Sequence, residues 1–126
     1  MARDTTDLTP IASMEELVAH LSSGEKPEAA FRIGTEHEKF GFYAEDGSPV
    51  PYEGERGIAK LLEGMRALSG WDAIVDDGRI IGLAETHGQG AISLEPGGQF
   101  ELSGAPLETM HEICEETGQH LEEVKT

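Results

Sequence analysis

The sequence is short of cysteine, of positive charge and of long apolar runs. Cys114 stands alone, so no disulfide closes within the chain. Lys and Arg total 9 against 25 Asp and Glu, a formal net charge of −16. A protein that grips a nucleic-acid backbone needs a basic face, so this balance argues against that partner. No apolar run approaches the roughly 20 residues of a membrane span. Residues 1–10 have no apolar centre and a single Arg, unlike a secretory signal, so the expected compartment is the reducing cytoplasm. There is no Gly-rich loop with a Lys for phosphates. Gly97-Gly98 has neither the spacing nor the following βαβ unit of a dinucleotide fingerprint. His111-Glu112-Ile113-Cys114-Glu115 starts like a zinc-protease helix, but Glu115 stands where the second His is needed.

What is present suits one domain with a modest core. Hydrophobic residues make up 37% of the 126, too many for a disordered chain. Residues 1–12 read as an irregular lead-in. Ser13-Met14-Glu15-Glu16 reads as a capping box opening a helix with Leu17, Val18 and Leu21 as its stripe and Gly24 as its stop. Residues 31–43 read as a long strand, and Val50-Pro51-Tyr52 as a short edge strand. Ile58, Leu61, Leu62, Met65 and Leu68 define a helix over 57–69 that Gly70 ends. Residues 71–103 read as a β-meander with a hairpin turn at Asp76-Asp77-Gly78-Arg79. Pro106 opens a last helix, with Leu107, Met110, Cys114, Thr117, Leu121 and Val124 as its stripe. Cys114 is therefore expected to pack as a small hydrophobe. That helix reaches the last residue without a stop, as in a chain cut from something longer.

Two acidic stretches carry the chemistry: Arg32-Ile33-Gly34-Thr35-Glu36-His37-Glu38-Lys39-Phe40-Gly41-Phe42, and Ile92-Ser93-Leu94-Glu95-Pro96-Gly97-Gly98-Gln99-Phe100-Glu101-Leu102-Ser103. Alternation puts Glu36 and Glu38 on one strand face, about 7 Å apart, with His37 on the other. Pro96-Gly97-Gly98 interrupts the second stretch, with a carboxylate presented on either side. Carboxylates inside apolar runs need a partner, a proton or a metal. An all-oxygen set of Glu36, Glu38, Glu95 and Glu101, with Gln99 beside it, suits Mg²⁺ or Mn²⁺ rather than Zn²⁺. Mg²⁺ bound this way usually also takes substrate phosphates, so the pattern points to an enzyme that holds a nucleotide through metals. No catalytic acid, base or nucleophile is identified.

These two stretches resemble the glutamate–cysteine ligases of the plant-type class. The likeness runs through most of residues 31–124, and the first stretch separates it from a cousin family of ergothioneine biosynthesis that shares the E-P-G-G-Q-x-E-L-S run. The resemblance implies an α+β fold, a curved antiparallel sheet flanked by helices, as part of a glutamine-synthetase-like ligase fold. It implies ATP, L-glutamate and L-cysteine as substrates, γ-glutamyl phosphate as intermediate and γ-glutamylcysteine, the first intermediate of glutathione synthesis, as product. It makes Glu36, Glu38, Glu95 and Glu101 metal ligands and Gln99 a ligand neighbour or substrate contact. Members are several times longer. Residues 1–126 would thus be the N-terminal part of one catalytic domain: 1–30 the lead-in and first helix, 31–126 half of the active-site sheet with two helices. Such a part is expected to be inactive without the remainder of the chain, to bind Mg²⁺ weakly and to associate readily. Plastid members carry a redox-sensitive disulfide, and a cysteine occurs there at the place of Cys114. Two rival readings stand beside this one: a related ligase with another amine acceptor, and a non-enzymatic acidic domain that binds cations or a partner.

Overall fold

The computed structural model of the chain describes residues 8–125. The reading of residues 1–7 as an irregular lead-in lies outside them. The chain divides into two compact units, Met1–Phe31 and Arg32–Thr126.

In the first unit, α1 (Met14–Ser22) starts at Ser13, whose Oγ accepts from the Glu16 N–H at 3.3 Å. The Glu16 carboxylate accepts from Ala12 N–H at 2.8 Å rather than from Ser13, so the capping box closes one residue early. The expected stripe is not a buried one: α1 has no buried residue, and Leu21 is 78% exposed. A 3₁₀ turn, Glu28–Ala30, follows.

The second unit holds one antiparallel sheet. Its strands are β1 (Glu36–Phe40), β2 (Asp72–Asp76), β3 (Arg79–Ala84), β4 (Ala91–Glu95) and β5 (Gln99–Ser103), in the order β1-β5-β4-β3-β2. The α+β class and the antiparallel sheet read from the sequence are present. In register, Leu83, Ile92, Leu102 and His37 lie side by side on one face. Against that face pack α2 (Ile58–Ser69) and α3 (Met110–Lys125). Ile58, Leu62 and Met65 from α2 meet Leu83, Ile92, Phe100 and Leu102, and all seven are at most 5% exposed. Burying each such side chain contributes about 1.5–3 kcal/mol. Gly70 stops α2 in the left-handed region at φ 72°, where a Cβ would be strained. Among the described residues no helix is long and apolar enough to cross a membrane.

Several boundaries differ from expectation. The first strand is regular only over Glu36–Phe40. Before it, Ile33 leaves the sheet ladder to exchange two hydrogen bonds with Leu107 at 2.8 and 2.9 Å; after it, Phe42 bridges Pro49. Residues 50–52 form no strand: Val50 sits against Gly41, where a Cβ would approach Val50 Cγ2 to 3.3 Å. Pro96-Gly97-Gly98 is a hairpin loop rather than an interruption within one strand. Gly98 N–H donates to Glu95 O at 3.0 Å, Gly97 has φ 85° and Gly98 φ 83°, so Pro96-Gly97 form the centre of a type II turn. The last helix begins at Met110, not Pro106, because Leu107 is held by Ile33 and a capping box forms at Thr109. Thr109 Oγ1 accepts from Glu112 N–H at 3.3 Å, and Glu112 Oε2 accepts from Thr109 N–H at 2.8 Å. With that start, the buried positions of α3 are Ile113 and His120, and Cys114 turns outward, exposed and free, contrary to its reading as a packed residue.

Candidate functional site

Antiparallel pairing fixes which side chains meet on the face away from the helices. Glu38 lies opposite Glu101 across β1 and β5, and Glu101 lies opposite Ser93 across β5 and β4. One step along, Gln99 lies between Phe40 and Glu95; one step the other way, Ser103 lies opposite Glu36. Residues directly opposite have Cβ atoms about 4.5–5.5 Å apart and diagonal ones about 7–8 Å. Glu101 therefore has Glu38 as a direct neighbour and Glu36 and Glu95 as diagonal ones. The structure brings all four predicted carboxylates and Gln99 onto one face of three adjacent strands.

Their environments differ. Glu36 and Glu38 are exposed on the edge strand, Glu95 is half-buried and Glu101 is 5% exposed. Glu101 and Ser93 are covered although they lie on the open face. They sit on the inner strands β5 and β4, and Ile74 of β2 leans towards Gly82, the residue opposite Ser93. Gly82 has no room for a side chain, since its Cβ would come within 2.4 Å of Ile92 O.

Three neutral donors hold the carboxylates in place. Gln99 Nε2 donates to Glu38 Oε2 at 2.5 Å, Ser103 Oγ to Glu101 Oε1 at 2.5 Å and Ser93 Oγ to Glu95 Oε1 at 2.9 Å. Alternation already places Ser103 on the face of Glu101, and Ser93 on that of Glu95, but nothing in the sequence signals that the two hydroxyls donate to these carboxylates. Among the described residues no ion pair includes Glu36, Glu38, Glu95 or Glu101. Arg32 instead pairs with Glu108 at 2.5 Å. Lys39, next to Glu38 in sequence, turns to the helix side. Its Nζ donates to His37 O at 2.7 Å and lies 6.0 Å from the centre of the Phe100 ring. Burial lowers the Lys39 pKa, and the nearby Glu101 charge partly restores it.

A face of carboxylates with only neutral donors fits a hard divalent cation by donor chemistry. Among the described residues, however, no three His, Cys, Asp or Glu side chains converge closely enough to cage one ion. The arrangement is an open platform whose ligand shell needs further oxygens from outside this face. A cleft of about 640 Å³ lined by Tyr52, Glu53, Asp76, Asp77 and Arg79 among others is bordered by none of the four carboxylates.

Residues 32–126 match the model of glutamate-cysteine ligase family 2 (GCS2). The chain is 49% identical over 122 residues to glutamate–cysteine ligase A, chloroplastic, of Oryza sativa subsp. japonica, covering 97% of this chain and 24% of that protein. It is 50% identical over 111 residues to the chloroplastic glutamate–cysteine ligase of Arabidopsis thaliana and 52% identical over 111 residues to that of Nicotiana tabacum, in each case 88% of this chain and 20% of the relative. The chain thus spans about a quarter of the length of the curated relatives it matches. Their names also correct the cytoplasmic expectation. These relatives are chloroplastic proteins, and a lone cysteine is compatible with a plastid as well as with the cytoplasm. The matched residues contain every strand of the acidic platform, and the chain belongs to glutamate-cysteine ligase family 2.

Proposed function

We propose that this chain supplies the acidic wall of a glutamate–cysteine ligase site, where Glu36, Glu38, Glu95 and Glu101 hold Mg²⁺ or Mn²⁺ against the phosphates of ATP. Family membership supports the reaction. One observation supports the site: four carboxylates in register on β1, β5 and β4, with neutral hydrogen-bond donors and, among the described residues, no ion pair. Divalent ions there would neutralise the phosphate oxygens, which is most of what phosphoryl transfer asks of a protein. The chain's own residues fix the ligands. Gln99 orients Glu38, Ser103 orients Glu101 and Ser93 orients Glu95, each bond engaging one carboxylate oxygen.

In the reaction the γ-carboxylate of L-glutamate attacks the γ-phosphorus of ATP, and ADP leaves. The amine of L-cysteine then attacks the carbonyl of γ-glutamyl phosphate, and phosphate leaves with γ-glutamylcysteine as product. On this reading the sheet is part of a glutamine-synthetase-like fold. The remainder of a longer chain brings further strands, and the basic groups for phosphate and the glutamate α-carboxylate that this face lacks.

The test is ATP-, glutamate- and cysteine-dependent phosphate release by a full-length protein containing these residues. Glu101→Gln is expected to lower turnover by at least about 100-fold, with partial recovery in excess Mn²⁺. Unchanged turnover would remove Glu101 from the site. ADP release with glutamate and a different amine, but not with cysteine, would leave a related ligase in its place.

A further inference from the structure

His120 projects from α3 into the layer behind the carboxylates. It is 3% exposed, and neither ring nitrogen has a hydrogen-bond partner. Its ring stacks on Phe100, centroids 6.2 Å apart at 12°, and meets His37 edge-on at 6.4 Å and 73°. Phe100 is the inward residue between Gln99 and Glu101; His37 is the inward residue between Glu36 and Glu38. So one ring on α3 backs both strands that present three of the four candidate ligands.

We propose that His120 is a positioning residue for the carboxylate face, seating α3 against β1 and β5 as a neutral imidazole and releasing both strands when it takes up a proton. This rests on reading Glu36, Glu38 and Glu101 as ligands. An imidazolium at this place meets no acceptor and faces unfavourable neighbours. From β1 come the Lys39 ammonium and the titratable His37; β5 contributes only the uncharged Phe100 ring. On α3 itself Glu116 and Glu123 lie one turn to either side. Glu116 Oε1 accepts from Ala105 N–H at 2.7 Å and its Oε2, buried without a partner, lies against Gly104, while Glu123 accepts from Gln119 Nε2 at 2.9 Å. Burial first, then the Lys39 and His37 charges, hold the His120 pKa down to about 4.

The experiment is amide hydrogen exchange at pH 7 and at about pH 4.5, corrected for intrinsic rates, on the protein and on His120→Leu, which keeps an apolar group of similar size without a titrating nitrogen. The expected result is that protection of β1, β5 and α3 falls together by about 10-fold or more in the parent and stays level in the variant. Equal losses in both proteins, or loss in α3 with β1 unmoved, would overturn the proposal. Should His120→Leu not fold, proton NMR titration of the parent decides. A His120 midpoint near 4, with the Phe100 ring resonances shifting at the same pH, supports it; a midpoint near the ordinary 6.5, or unmoved Phe100 resonances, refutes it. Mn²⁺ binding at pH 7 is read separately. Its absence would count against the ligand assignment, while the exchange data still decide the seating of α3.

Discussion

Glu38 and Glu101 face each other across β1 and β5, and among the described residues neither forms an ion pair. Like charges directly opposite on a sheet destabilise it by about 0.2–1 kcal/mol. Glu38→Gln is therefore expected to raise stability by that amount in urea denaturation with chelator present, and to lower it relative to the parent in excess Mg²⁺. A variant less stable in both conditions would mean that Glu38 serves the fold rather than a cation. His120 gives a second residue-scale expectation. Its folded pKa, about 4, lies below the unfolded value of 6.5, so the unfolded chain takes up the proton first. The contribution is full above about pH 6.5 and is lost as pH falls towards 4, on the order of 3 kcal/mol in all. Denaturation midpoints across that window check it, with His120→Leu as the flat control. The carboxylates were legible in the sequence because alternation with period two leaves no choice of face. His120 was not. On a helix each residue turns by about 100°, so a stripe drawn through Cys114 and Leu121 lies about 100° away from the buried Ile113 and His120, and a histidine gives no apolar signal to redirect it.

At the scale of elements, α3 depends on a cap that composition hides. Thr109 and Glu112 satisfy each other's backbone N–H groups, and Thr109→Ala is expected to cost about 1 kcal/mol, seen as a lower thermal midpoint. An unchanged midpoint would show that packing of Ile113 and His120 alone sets where the helix begins. The same passage shows why helix starts are hard to read. Pro106 is a favoured first residue by local preference, but Leu107 is committed to a two-bond bridge with Ile33, seventy-odd residues earlier, which no local pattern reveals. The hairpin between β4 and β5 is the converse case. Pro96-Gly97-Gly98 was recognised as unable to continue a strand, and the glycines do take positive φ. What local chemistry left open was whether the chain kinks and goes on or turns back. Pairing of Glu95 with Gln99 decides for turning back.

Across the whole molecule the two faces of one sheet are specialised: apolar on the side where α2 and α3 pack, acidic on the other. The net charge of −16 reads as a solubility feature by count alone. Only the register separates the carboxylates gathered on this face from those scattered elsewhere over the surface. β5 bears both specialisations in five residues, with Phe100 and Leu102 at 3% and 2% exposure on one side and Gln99, Glu101 and Ser103 on the other. It behaves like a reading frame. A conservative substitution at one position alters one face, but a single inserted residue exchanges the faces for everything beyond it. In a library of one-residue insertions scored for folding, positions 91–95 and 99–103 are expected to be emptied. The turn that follows β1, exposed over residues 44–47, should accept them. Tolerance inside β5 would mean the sheet can re-pair, and that the alignment of the acidic platform is not a fixed property of the chain.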